Sequence, residues 1–196
     1  MNKKINEGAY MDYQLCDLTC PFNVNNQNTF TNSRPKDANF PVMLEDNNSR
    51  ILLVFEAPGF YEWKNKCPIY DSRYLEKRDS AGSRMAQAFE DCEINRKDYD
   101  IAEVVSCFPG PQGGIKQYEV AMASICCRKY LFDYIYNKRY DKIVCWGYIA
   151  HNSVIDIVRE IQGTDVFYCP SIMSAKHPTA PGNTQSAVNK DIIRCL

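Results

Sequence analysis

The chain lacks an excess of either charge. Its 196 residues carry 23 Lys and Arg against 24 Asp and Glu, a formal net charge of −1. Global charge therefore leaves no footprint of a nucleic acid, and any such binding must come from a local patch. No apolar run approaches the roughly 20 residues that span a bilayer. Residues 1–13 are polar, without the apolar stretch of a secretion signal. A cytoplasmic location, no membrane contact and a monomer are the expectations. No internal repeat or low-complexity tract is visible. Histidine is scarce, with only His151 and His177 to supply imidazole chemistry. What the chain does have is 45% hydrophobic residues, enough for a real core in one domain, and ten cysteines. In the cytoplasm ten scattered cysteines do not read as a disulfide framework. Most are expected as buried thiols, with a subset open to a metal or cluster.

Residues 1–49 are rich in Asn, Asp and Pro and show little periodicity, which reads as an irregular arm. Residues 50–196 read as the folded domain. Short apolar runs at 50–55, 100–105, 142–146 and 165–169 predict strands, and the first closes on the turn Ala57-Pro58-Gly59. Helices are expected over 80–93, 118–139, 149–161 and 186–196. The first of these has Ser80 as N-cap and Met85, Ala88, Phe89 and Cys92 on one face. Strands alternating with helices predict an α/β fold: an open, mostly parallel four-stranded sheet sandwiched by helices. Ligands of such sheets sit beyond the carboxyl ends of the strands. Here those ends carry residues 56–59, 103–107, Gly147 and the approach to His177. Lys64, Lys66, Arg73, Lys77 and Arg78 cluster, with only Asp71 and Glu76 as acids between them. That segment is either a solvated loop or a contact for phosphates.

Singly, the short motifs are weak, since many strand-to-helix turns contain Pro and Gly. Their order is more specific. The chain runs E-A-P-G (56–59), Glu62, S-A-G (80–82), V-V-S-C-F-P (104–109), Glu119, Cys127, D-K-I-V-C-W-G (141–147) and K-H-P (176–178). This set resembles the iron–sulfur, family 4-like branch of the uracil-DNA glycosylase superfamily. That branch carries G-E-A-P-G-x-x-E-D, an A-G helix start, N-V-V-K-C-x-P, E-I-x-x-C, a strand ending in Gly, and H-P. The resemblance covers about residues 15–178. It implies a [4Fe–4S] cluster on Cys16, Cys20, Cys107 and Cys127, tying the arm to the core. Cys126 competes for the fourth position, and zinc on the same thiolates is the rival reading.

The resemblance also implies site roles. His177 would stabilise the departing base, and Glu56 or Glu62 would orient water and oppose the sugar cation. Ala57, Pro58, Gly59 and Glu103 would lie on the base, which would stack on Ile69 by register or on Tyr70 by virtue of its ring. Lys64, Lys66, Arg73, Lys77, Arg78, Ser80 and Lys176 would meet DNA. Departures from the pattern are Phe55 for Gly, Trp63 for Asp, extra residues 71–79, and Glu103 where the family reads the base with Asn. An ionised Glu103 only accepts hydrogen bonds, which suits the N4 amino group of cytosine. A protonated one also donates, to N3. The expected activity is that of a monofunctional DNA glycosylase acting on a modified cytosine-type base, with glucosylated hydroxymethylcytosine of phage DNA as a candidate and anti-phage defence as the role. A conventional uracil-DNA glycosylase of base-excision repair, and a catalytically silent DNA- or nucleotide-binding module, are the alternatives.

Overall fold

The computed structural model describes residues 44–75, 79–109 and 117–196, with side chains in the third stretch described from Val120 onward. Four strands form one parallel sheet, in the order β2-β1-β3-β4: β1 (Ile51–Phe55), β2 (Asp100–Glu103), β3 (Lys142–Trp146) and β4 (Ser171–Ala175). Among the described residues five α-helices accompany them: α1 (Phe60–Asn65), α2 (Ala81–Asp91), α3 (Gln117–Lys138), α4 (Tyr148–Thr164) and, after β4, α5 (Gln185–Cys195).

The inner strands β1 and β3 are apolar on both faces, as strands covered by helices must be. Alternate residues serve two cores. Leu52, Val54, Ile143 and Cys145 join Leu131 and Ile135 of α3 and Val154, Ile157 and Ile161 of α4. Leu53, Phe55, Val144 and Trp146 join Met85, Ala88 and Phe89 of α2 and Val188 and Ile192 of α5. The sheet is thus a layer between two helix pairs. Among the described residues no helix is long and apolar enough to cross a membrane.

Both sheet edges depart from the sequence reading. Outside β2, Glu45 bridges Ile101 antiparallel, exchanging hydrogen bonds at 2.9 and 3.0 Å. The last residues of the presumed arm therefore cover an edge that would otherwise present unpaired backbone. At the other edge, the strand expected over 165–169 is a turn. Asp165 accepts from Tyr168 N–H at 3.1 Å, and Phe167 is 93% exposed. The strand lies one step later, where Ile143, Val144 and Cys145 pair with Ile172, Met173 and Ser174. Pairing with β3 decides this against hydropathy, because an edge strand buries little and β4 buries only Ala175.

Candidate functional site at the carboxyl edge of the sheet

The turn after β1 delivers two glutamates in opposite directions. Glu62, in the first turn of α1, is buried. Its carboxylate accepts from Tyr70 N–H at 3.1 Å, and also from its own and the Gly59 N–H. Burial pushes its pKa up, against those donors and the charge of Arg96. The start of α2 passes so close that a Cβ on Gly82 would lie 2.1 Å from the Tyr70 carbonyl and 2.6 Å from Glu62 Oε1. Glu62 therefore stitches the turn, the segment before residue 71 and α2 together.

Glu56 points to β3 and α4. Its carboxylate accepts from the N–H groups of Ile149, at 3.2 Å, and Tyr148. It supplies the cap that Gly147, with no side chain, does not. Gly147 has φ 108°, and a Cβ there would stand 2.3 Å from Glu56 Oε1, so glycine is demanded twice over. Burial raises the Glu56 pKa and the two backbone donors oppose this.

Glu103 ends β2 in register with Phe55 and is only 6% exposed. Its pKa is raised well above the carboxylate range by burial, then by the charges of Glu62 and Glu56. Its buried Oε2 has no partner among the described residues. Glu103 thus feels the charges of both other glutamates, and these charges together with burial favour its protonated form.

His177 follows β4. Burial lowers its pKa to about 4, so the ring is neutral. Nδ1 accepts from Thr179 N–H at 3.3 Å and lies 3.0 Å from Thr179 Oγ1. A backbone N–H can only donate, so the single ring proton belongs on Nε2. The following loop is fixed by Ala180 N–H and Asn183 Nδ2 on the His177 carbonyl, and by Arg84 of α2 on the Pro178 carbonyl. His177 and Glu56 line a common groove of about 940 Å³, together with His151, Lys176, Lys190 and Arg194.

The remaining expected residues distribute unevenly. Ala57 and Pro58 carry the turn backbone between Glu56 and Gly59, and Pro58 is buried. Ile69 is no stacking surface: it is 2% exposed and belongs to the core that holds Phe55 and Met85. Its φ of 56° is strained for a β-branched residue. Arg96 holds it there, donating to the Pro68 and Ile69 carbonyls and to Glu45. Tyr70 is half-buried beside it. Arg73 is not a free cation, since Asp71 and Glu90 both bind its guanidinium at 2.7 Å. Lys64, Lys66 and Lys176 are exposed. Ser80 caps α2, accepting from Ser83 N–H at 3.0 Å, and its hydroxyl also meets Ser72 at 2.7 Å. Lys77 and Arg78 lie outside the described residues.

Of the four candidate cluster ligands, Cys16 and Cys20 lie outside the described residues. Cys107 and Cys127 are both buried, in one small cluster with Val105, Ala123 and Tyr130. The Cys127 thiol hydrogen-bonds with that of Cys107, which together with burial holds its pKa well above the usual thiol value. Cys126 on the same helix is only half-buried. Two converging thiols fit half of a four-thiolate site. Among the described residues alone, no group of three or more His, Cys, Asp or Glu side chains is arranged to hold a metal ion.

Sequence reasoning gave no site role to Arg96, Thr179 or the aromatic set of Phe60, Trp63 and Phe108. Arg96 had no signal, sitting in an unremarkable polar turn. Thr179 had a faint one, two residues after His177. No protein-family model matches the chain, and no curated protein matches it either.

Proposed function

We propose that the chain is a monofunctional DNA glycosylase that hydrolyses the N-glycosidic bond of an extruded, modified cytosine-type base and leaves an abasic site. The observation that carries this reading is the pairing, in one groove, of a neutral imidazole protonated on Nε2 with a carboxylate, Glu56. Breaking an N-glycosidic bond puts negative charge on the base and positive charge on the sugar, and each needs a preorganised partner. In this reading His177 donates from Nε2 to the departing base. Glu56, rather than the fully engaged Glu62, faces the sugar cation and the attacking water.

Glu103 reads the base. As a neutral acid it offers one O–H and one carbonyl, which match N3 and the N4 amino group of cytosine. A modified cytosine, such as glucosylated hydroxymethylcytosine of phage DNA, is the substrate that lets ordinary cytosine be spared, and anti-phage defence is the matching role. The same neutral acid also favours a second reading. Its donor and acceptor equal those of the family's Asn amide, so it can meet uracil O4 and N3–H. A [4Fe–4S] cluster on Cys16, Cys20, Cys107 and Cys127 would tie the arm to the domain and supply no chemistry to base release.

The test is to incubate the protein with phage DNAs and with oligonucleotides carrying uracil, cytosine or modified cytosines, then identify the released base by mass spectrometry. A released cytosine derivative, with no covalent adduct trapped by borohydride, supports the proposal. Uracil alone selects the repair reading, and no released base from any DNA refutes both.

A further inference from the structure

Next to the Glu56–Gly59 turn the surface carries a feature that the chemistry above does not use. Phe60 opens α1 and is 45% exposed. Its ring rests on a buried aromatic floor. Trp63 and Phe108, 7% and 3% exposed, stack at 5.2 Å with an interplanar angle of 15°. Phe60 meets Phe108 at 6.0 Å and 69°, and Trp63 at 5.7 Å and 54°. Tyr61 braces it edge-on at 5.4 Å. The ring is therefore held from below and beside, while much of its surface stays in water. Lys64 Nζ stands 5.8 Å from the Phe60 centroid, and Lys66 Nζ 5.2 Å from that of Trp63. The only acid of this helix, Glu62, is turned inward and buried. The face is thus aromatic and cationic with no exposed carboxylate of its own, and it shares the sheet edge with Glu103, five residues before Phe108.

A fixed, water-exposed ring beside lysines suits one kind of partner: an unstacked nucleobase followed by its phosphate. A base inside a duplex has both faces covered, so it offers the ring nothing. We propose that Phe60 is a stacking platform, with Lys64 for the adjoining phosphate, that grips the base next to the extruded nucleotide and gives the protein a preference for single-stranded DNA. This inference rests on the glycosylase reading and adds strand preference to it.

The probe is a single-stranded oligonucleotide with 2-aminopurine beside a non-hydrolysable 2′-fluoro target nucleotide. Its matched duplex is the comparison, and wild type is compared with Phe60→Ala, Phe60→Leu and Phe60→Trp. Base stacking on an aromatic side chain predicts a loss of about tenfold to a hundredfold in single-strand affinity for the Ala and Leu variants. The 2-aminopurine signal change should vanish in both, Trp should restore both readouts, and duplex affinity should move much less. If Phe60→Leu behaves as wild type, or if single-strand and duplex affinities fall equally, the platform is overturned while base release by the wild type leaves the glycosylase reading standing. A wild type that binds neither DNA and releases no base overturns both.

Discussion

Replacing Glu103 by Gln keeps the shape of a buried side chain and removes its titration. Burial, then the charges of Glu62 and Glu56, raises the Glu103 pKa and favours its protonated form. If it works as a neutral acid, Glu103→Gln retains a donor and an acceptor, and single-turnover base release should stay within a few-fold of wild type. Glu103→Leu removes both. Each unmet hydrogen bond in a buried pocket costs about 1–3 kcal/mol, so release should fall by one or two orders of magnitude. Glu103→Asn places an amide at this position. Uracil release should then appear while release of the cytosine-type base falls. Mass spectrometry of the freed base reads all of these. Robust uracil excision by the wild type, unaltered in Glu103→Asn, would refute the argument that this side chain selects the base.

The same substitution has a stability signature. In the unfolded chain Glu103 ionises near its ordinary value of 4.5, whereas the folded protein keeps the proton to much higher pH. Above pH 4.5 the folded state therefore binds more protons than the unfolded one. Stability falls by about 1.4 kcal/mol per pH unit until the folded group itself ionises. Glu103→Gln lacks this slope. Denaturant unfolding at several pH values should show the variant gaining on wild type from pH 4.5 upward. Parallel profiles would mean that Glu103 is hydrated and charged in the folded protein.

Further outcomes are expected. His177→Ala should leave DNA affinity nearly intact and slow base release by roughly 10²-fold or more, as for loss of one transition-state donor. Because burial lowers the His177 pKa to about 4, wild-type release should not show a histidine titration near 6.5, and an inflection there would contradict the neutral-imidazole role. Purified protein should be brown with about four irons per chain, and Ser at Cys16, Cys20, Cys107 or Cys127 should bleach it, whereas colourless protein with one tight zinc would favour the zinc alternative. Neutralising Lys64 and Lys66 should reduce the salt dependence of duplex binding by up to about 0.9 log unit of slope per lost phosphate contact, while Arg73→Gln, which breaks ion pairs with Asp71 and Glu90, should lower stability and leave the slope alone.

How much of this was legible in the chain depends on how local the cause is. Ile51–Phe55 and Lys142–Trp146 read as inner strands because their near-continuous apolar runs are themselves the signature of a doubly covered sheet. Ser171–Ala175 was invisible because its strand character comes from β3 rather than from its own composition. The short helix Phe60–Asn65 escaped because its N-cap Gly59 makes no side-chain bond and six residues show no period. Within the site, Glu56, Gly147 and His177 were recognisable as motif positions. The reasons they matter are tertiary. Gly147 makes room for a carboxylate from 91 residues earlier, and Arg96 fixes the strained Ile69 from 27 residues away. Ile69 was misjudged because register along the chain does not say which side of a left-handed turn faces the core.

The two glutamates of E-A-P-G-x-x-E stand at equivalent distances from the motif's centre, and their neighbours divide their work. Glu62 accepts from three backbone N–H groups and abuts Gly59 and Gly82. Moving it toward a substrate would unmake the turn, so it is a pin. Glu56 accepts only at the start of α4, where the partial positive charge of the helix favours its ionised form, and it lines the groove with His177. Glu103 lies deepest and feels both of the others. Burial and the charges of the other two both favour the proton at Glu103, where water is scarcest. That order matches the proposed reaction. The groove-facing acid is the one proposed to meet a sugar cation, the buried acid, when protonated, has the hydrogen-bond pattern to read a base, and Glu62 pins the turn and the start of α2.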